Sequence, residues 1–269
     1  MTAPHEPGDH AVPAPTTRTG AGGPEVRDLR DGVVVVTGAG SGIGRATTEQ
    51  LLAAGARVVA ADLRPGRLDD LLGREGGERL VVVGGDVGEP GHAERLVAAG
   101  TAAWGRVDSV VANAGVGHFG GLLDQDEDQV LAMVATNFTA TVWLSRAALR
   151  RFRAQGDGGD VVVVGSVAGL GPGGGEEAVY AGTKAAQMQL ATSLDRETRH
   201  EGIRATVVAP AAVNTSFAAA TGRFGDAAPE DGDFLRPDDV AAAVVTVLRQ
   251  PRRMRTGVWT LWSLAESGG

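Results

Sequence analysis

Cysteine is absent from the 269 residues, which excludes disulfides, cysteine-ligated zinc and thiol catalysis. Histidine is scarce, and His5, His10, His92, His118 and His200 are scattered without metal-ligand spacing, so no metal site is expected. No segment approaches the ~20 consecutive apolar residues of a membrane helix. The stretch from Met1 to Pro24 is rich in Pro, Gly, Thr and Ala and has no apolar core. It reads as a disordered tail rather than a signal peptide or anchor, and a soluble cytoplasmic protein without a membrane partner is expected. The net charge of -8 leaves no dense basic stripe for nucleic acid. The cluster Arg146, Arg150, Arg151 and Arg153 closes a predicted helix, where cations complement the helix dipole, and reads as a solvated face.

Tyrosine and lysine are nearly absent. There is one of each, Tyr180 and Lys184, and every other basic residue is arginine. Four residues apart on a helix, the two side chains share a face, so the ammonium can sit beside the phenol. A fixed cation lowers a phenol pKa towards the range where it exchanges a proton with substrate. The plainer alternative is a buried structural tyrosine beside a solvated lysine.

From Asp31 onward, short apolar runs alternate with Ala/Leu/Arg-rich stretches: Val33-Val36, Arg57-Ala61, Leu80-Val83, Val107-Ala112, Val161-Val164, Arg204-Val208 and Val258-Leu261. Runs that are apolar on both sides are what a parallel sheet covered by helices requires. Seven of them, separated by helices, predict one α/β domain of doubly wound Rossmann type over residues 28-269, after a tail over 1-27. The longest predicted helices are Gln125-Gln155 and Val179-His200. The segment Asn214-Arg236 is small, Gly-rich and acidic, with Phe217, Phe224 and Phe234 interspersed, and reads as a mobile lid.

The first run leads into Thr37-Gly38-Ala39-Gly40-Ser41-Gly42-Ile43-Gly44 and then into a helical pattern. Glycines placed between a strand and a helix permit a tight turn and the close approach of a pyrophosphate to the helix N-terminus. Asp62 ends the second run, where a carboxylate can accept hydrogen bonds from an adenosine ribose. It could also serve only as a helix cap.

The chain resembles the short-chain dehydrogenase/reductase family from about Asp31 to its C-terminus. The resemblance is carried by Thr37-Gly44, Asp86-Val87, Asn113-Ala114-Gly115, Asn137, Ser166 and Tyr180-x-x-x-Lys184. It implies a catalytic tetrad of Asn137, Ser166, Tyr180 and Lys184. Tyr180 would be the acid/base, Ser166 would hydrogen-bond the substrate oxygen, Lys184 would bind the nicotinamide ribose, and Asn137 would hold a water of a proton relay. Asp86 and Val87 would contact adenine, and Asn113-Gly115 would brace the sheet beside the cofactor. Gly38, Ser41, Gly42, Ile43, Gly44, Asp62, Leu63, Pro210, Val213 and Thr215 complete the implied cofactor contacts. Plainer roles exist for two of these: Ser166 could cap a loop and Asn137 could satisfy a helix kink.

NAD is expected over NADP, because Asp62 would repel a 2′-phosphate, Leu63 brings no positive charge, and relatives that use NADP often carry Lys or Arg at the position of Ser41. Arg64 is the one nearby cation that could turn to a phosphate. The implied reaction interconverts a secondary alcohol and a ketone, with Tyr180 exchanging the hydroxyl proton. His118, Phe119, Gly171-Glu177 and the lid should line the pocket, and its Gly-rich walls suit a bulky, polyketide-like or other secondary-metabolite substrate. The alternatives are an NADPH ketoreductase of 3-oxoacyl type, a non-catalytic dinucleotide-binding regulator and a dehalogenase-like lyase. The last two would be expected to lose tetrad or glycine-turn residues that are intact here.

The resemblance also implies a homotetramer or homodimer paired through its long helices, with Ala185 and Ala186 permitting close approach. Three departures stand out. Ser166 and Tyr180 are 14 residues apart rather than 13, which predicts a one-residue bulge in Gly171-Gly175. Pro210-Ala211 replaces proline-glycine, and the C-terminal strand carries Trp259 and Trp262 in place of an Asp-Gly-Gly ending.

Overall fold

The computed structural model describes residues 26–75, 78–171, 175–217 and 234–266. The tail up to Pro24, the expected bulge at 172–174 and most of the lid, including Phe224, lie outside the described residues.

Seven strands form one parallel sheet: β1 (Val33–Thr37), β2 (Arg57–Asp62), β3 (Leu80–Gly84), β4 (Ser109–Ala112), β5 (Gly159–Val164), β6 (Ile203–Pro210) and β7 (Val258–Leu261). Their spatial order is β3-β2-β1-β4-β5-β6-β7. All six pairings are parallel. The central strands have no polar face, and every residue of β1, β4, β5 and β6 is buried. Each of these four runs therefore supplies side chains to both layers at once, as a sheet sandwiched between helices demands, whereas the edge strand β7 alternates exposed and partly buried residues.

The helices are α1 (Gly42–Ala53), α2 (Asp69–Glu75), α3 (His92–Trp104), α4 (Glu127–Met133), α5 (Ala140–Gln155), α6 (Ala178–Thr198) and α7 (Pro237–Arg249). Leu51 and Leu52 of α1, Leu71 of α2 and Val240, Val244 and Leu248 of α7 pack with Val34, Val36 and Val58 on one face of the sheet. On the other face, Leu96 of α3, Leu144 and Phe152 of α5 and Met188 and Leu194 of α6 pack with Val33, Val35 and Val161. Because the chain builds outward from β1 to β3 and then returns to β4, the crossover direction reverses between β1 and β4. That reversal opens a crevice at the carboxyl ends of these strands.

One element differs from the sequence expectation. The single long helix over Gln125-Gln155 is α4 and α5 joined by a π-helical segment, Val134–Thr139, with Asn137 fully buried within it. A π turn adds one residue to the helical repeat and rotates the helix beyond it, which periodicity over a continuous apolar pattern does not register. The arginines of α5 lie at the surface, as expected, and three of them have partners there. Arg153 pairs with Glu201 at 2.7 Å, Arg150 with Glu94 at 3.4 Å, and Arg151 bonds the Gln155 side chain at 2.6 Å.

Candidate active site

The glycine turn sits where the crevice opens. Thr37 ends β1, and its hydroxyl accepts from the N–H groups of Asn113 at 3.0 Å and Ala114 at 3.1 Å. The Asn113 amide returns the link, donating to Thr37 O at 2.9 Å and Gly38 O at 3.3 Å. Side chains thus tie the turn after β1 to the segment after β4 across the switch point. A Cβ at Gly44 would stand 2.2 Å from the Gly38 carbonyl oxygen, so the helix can start this close to the strand end only with glycine there. Ser41 is the N-cap of α1 but makes no side-chain capping bond, and the first turn holds no acidic residue. The amides at the start of α1 are left to an outside anion. These features fit the pyrophosphate of a dinucleotide.

Asp62 is buried at the end of β2. Its Oδ2 accepts from Gly40 N–H at 2.9 Å and its Oδ1 from Arg64 N–H at 2.9 Å. It therefore braces the glycine turn and the turn after β2. Leu63 and Arg64 are exposed beside it. Asp86, also exposed, folds its Oδ1 onto Gly88 N–H at 2.8 Å and so shapes the turn that presents the half-buried Val87.

A cavity of about 150 Å³ joins this turn to the carboxyl ends of β4, β5 and β6. Ser41, Gly42, Ile43, Asn113 and Gly115 line one side, and Ser166, Tyr180 and Lys184 the floor. Pro210, Val213, Thr215 and Phe217 belong to the far wall. Ser166 follows β5, and its hydroxyl accepts from Ala168 N–H at 3.2 Å, so it caps a short 3-10 turn while remaining on the cavity. Its O–H hydrogen is free to be donated elsewhere.

Tyr180 and Lys184 lie on the first turns of α6, and both are buried. The Lys184 ammonium stands 5.7 Å from the centre of the Tyr180 ring. It donates to Val164 O at 3.2 Å, and burial pushes its pKa down to about 8. The Tyr180 ring is held between Phe119 and Phe217, with ring centres at 5.4 and 6.1 Å. A Cβ at Gly117 would come within 2.6 Å of the Phe217 ring, so glycine there lets the segment after β6 close onto the loop after β4.

Asn137 reaches this centre from the π segment. Its side-chain oxygen accepts from Val116 N–H at 2.8 Å, and its amide donates to Val116 O at 2.9 Å and to the Thr183 hydroxyl at 3.0 Å. Thr183 in turn donates to Tyr180 O at 2.7 Å. The side chain is thus fully engaged in holding the loop after β4 against α6. The backbone carbonyl of Asn137 accepts from the Thr141 hydroxyl at 2.7 Å. Thr183, Thr141 and the Val164 carbonyl escaped sequence reading. The threonines look like ordinary helix residues, and a backbone oxygen carries no sequence signal.

The structure thus brings Ser166, Tyr180, Lys184 and part of the glycine turn around one cavity, with Asn137 tied behind it to Val116 and Thr183, while Asp62, Leu63, Asp86 and Val87 lie outside the cavity lining. His118 lies outside the cavity lining, while Phe119 reaches the centre through the Tyr180 ring. Ala211 needs no left-handed backbone, since Asp31 and Glu176 are the only non-glycine residues with positive φ among the described residues. Glu176, at φ 50°, lies just before α6, where the chain is one residue longer than the family's common spacing.

The family profile described as short chain dehydrogenase matches residues 32–224. The chain is 34% identical over 255 residues to L-rhamnose 1-dehydrogenase (NAD(P)(+)) of Azotobacter vinelandii, covering 90% of this chain and 97% of that one. It is 30% identical to an uncharacterized oxidoreductase of Staphylococcus aureus, covering 87% of this chain and 97% of the relative. Among solved structures, 3-ketoacyl-(acyl-carrier-protein) reductase from Brucella melitensis complexed with NADH superposes with a TM-score of 0.79 at 25% identity, covering 88% of this chain and 99% of that one. The closed form of serine dehydrogenase complexed with NADP+ gives 0.78 at 26%, covering 88% and 96%. With the glycine turn, the buried Tyr180-Lys184 pair and a match across most of the described chain, the protein belongs to the short-chain dehydrogenase/reductase family of oxidoreductases.

Proposed function

We propose that the protein interconverts a secondary alcohol and a ketone with a nicotinamide cofactor, Tyr180 exchanging the hydroxyl proton. The observation that carries this reading is the burial of the chain's one tyrosine and one lysine on a single helix face, on the floor of a cavity that opens onto the glycine turn. When bound, the nicotinamide supplies or takes up hydride. The chain's own residues handle the oxygen and its proton. The Tyr180 hydroxyl donates to the oxygen as charge builds there, and the Ser166 hydroxyl offers a second hydrogen bond to it. The Lys184 ammonium favours the phenolate left behind. Asn137, fixed in the π segment against the loop after β4, holds a water that returns the proton from solvent through Lys184. Phe119 and Phe217 exclude bulk water from the Tyr180 ring.

Those two rings also bear on the substrate. Aromatic walls around the acid/base favour a bulky apolar ring system of secondary-metabolite type over a sugar, whose hydroxyls would need polar partners there. The test is a panel of ketones and alcohols followed by nicotinamide absorbance, with wild-type protein beside Tyr180→Phe. Turnover is expected on apolar cyclic ketones or alcohols and should fall by ~10²–10⁴ in the variant, while cofactor binding survives. A variant as active as wild type would sink the mechanism.

NAD(H) is the preferred cofactor in this reading. Two backbone N–H groups hold the Asp62 carboxylate in place, so it cannot swing away from a 2′-phosphate. Arg45 is already engaged by Asp70 and Glu49, although Arg64 and Arg67 are exposed nearby. Titration with NADH and NADPH decides the matter, and tighter NADPH binding would overturn the preference. The protein works as a homo-oligomer, a tetramer or a dimer, joined through α6.

A further inference from the structure

The segment after β6 forms one wall of the cavity, from Pro210 to Phe217, and three ties hold its backbone. Ala211 N–H donates to Leu261 O at the end of β7, at 2.9 Å. Leu235 is bonded on both sides, its N–H to Ala212 O at 3.0 Å and its carbonyl to Asn214 N–H at 2.8 Å. The third tie is Ala212 N–H to Oε1 of Glu266, at 3.1 Å. The first two are main-chain bonds that many sequences could make. The third depends on one side chain.

Glu266 is itself well placed. Its Oε2 accepts from Ser263 N–H at 3.2 Å, and its own N–H donates to Ser263 O at 3.2 Å. The hydroxyl of the buried Ser263 accepts from Ala265 N–H at 3.2 Å. Residues 263–266 therefore make a closed turn that aims a carboxylate back at the wall. This contact joins the two places where the chain departs from its family's pattern, Pro210-Ala211 after β6 and the altered ending of β7. Thr215, three residues past Ala212, lies over the glycine turn, its Cγ2 within 3.3 Å of where a Gly42 Cβ would stand. A shift of Ala212 would be carried to the wall on both sides of it.

We propose that Glu266 is a positioning residue: its carboxylate clasps Ala212 and sets the wall of the pocket that holds the nicotinamide end of the cofactor, so that cofactor affinity depends on the C-terminal turn. This rests on the nicotinamide reading above. Glu266→Ala leaves the Ala212 N–H, on a buried residue, without its acceptor, whereas Glu266→Gln keeps an acceptor oxygen at the same reach.

The test uses full-length wild type, Glu266→Ala and Glu266→Gln. NADH and ADP-ribose, which lacks the nicotinamide, are titrated by calorimetry, and amide exchange of residues 211–217 is followed without cofactor. Glu266→Ala is expected to weaken NADH roughly tenfold, the size of one lost hydrogen bond to a charged group, and to speed exchange at 211–217. ADP-ribose should stay within about twofold of wild type, and Glu266→Gln should recover most of the NADH affinity. Glu266→Asp, one methylene shorter, is measured alongside and takes the place of the alanine variant if that protein does not fold, with a smaller loss expected. Equal losses for NADH and ADP-ribose would mark a general structural effect and overturn the proposal, as would unchanged NADH affinity whatever the exchange rate. Failure of the wild type to bind either NADH or NADPH overturns the nicotinamide reading and this coupling together. Failure confined to the variant comparison overturns the coupling alone.

Discussion

Lys184 sits where an ammonium is poorly solvated, and the fold bears that cost. Its pKa is about 8 in the folded chain against an ordinary value of 10.5, with burial as the cause. Between these two values the unfolded chain carries a proton that the folded chain does not, so stability rises with pH across that window. Below about pH 8 the folded protein carries the full penalty. Lys184→Met is therefore expected to gain about 1–3 kcal/mol at pH 7, a gain that fades as pH approaches the ordinary lysine value, while turnover is lost. Urea denaturation of both proteins at pH 7 and pH 10 measures it; no gain at pH 7 would mean that the ammonium is well solvated in the pocket. Lys184→Arg keeps the charge but brings a planar, bulkier guanidinium to a site fitted to a compact group. Its turnover should fall heavily, and a near wild-type rate would remove lysine from the mechanism.

At the scale of elements, α6 does two jobs with two faces. Tyr180, Thr183, Lys184, Gln187 and Met188 are buried against the sheet and the site, while Gly182, Ala185 and Gln189 are exposed on the other side. A Cβ at Gly182 would meet nothing within 4 Å. So smooth a ridge lets a second helix approach closely. Light scattering at micromolar protein should return a multiple of 27.4 kDa, and Ala185→Arg should move it towards the single-chain mass. A wild-type mass of one chain would count against pairing through α6. The α4–α5 junction shows what periodicity misses. Asn137 was legible as a site residue by resemblance, but the π turn that buries it is a product of packing against Val116 and Thr183, and no local pattern encodes it.

Across the whole molecule, the far end of the sheet from the cavity is gathered on Asp160. Its carboxylate meets Arg204 at 2.7 Å, Arg27 at 2.8 Å and Arg252 at 3.3 Å. These arginines come from β6, from the start of the described chain and from the stretch before β7. Burial alone would raise the Asp160 pKa, but Arg252, Arg204 and Arg27 together outweigh it and hold the carboxyl below its usual range. The stabilisation is present above the usual carboxylate range and lost as pH falls through the lowered value. Asp160→Asn leaves three cations around a neutral group and is expected to cost about 3–5 kcal/mol, read from the denaturation midpoint at pH 7. A loss below about 1 kcal/mol would show that the surrounding carbonyls alone suffice for the arginines.

What the sequence by itself determined was the alternation of apolar runs and helical stretches, and hence the seven-stranded doubly wound sheet with its crevice, because burial on both sheet faces leaves its mark in every run of valines. It also pointed to the chemistry proposed, since one tyrosine and one lysine four residues apart share a helix face. Tertiary structure alone decided how those groups are tuned. The lowered Lys184 pKa comes from the layers that cover it. The double duty of Asp62 comes from the Gly40 N–H that faces it across a turn, 22 residues away. Phe217 against Gly117 and Glu266 against Ala212 are contacts between segments distant in the chain. Such contacts depend on where whole elements come to rest, and no single stretch of residues carries that information.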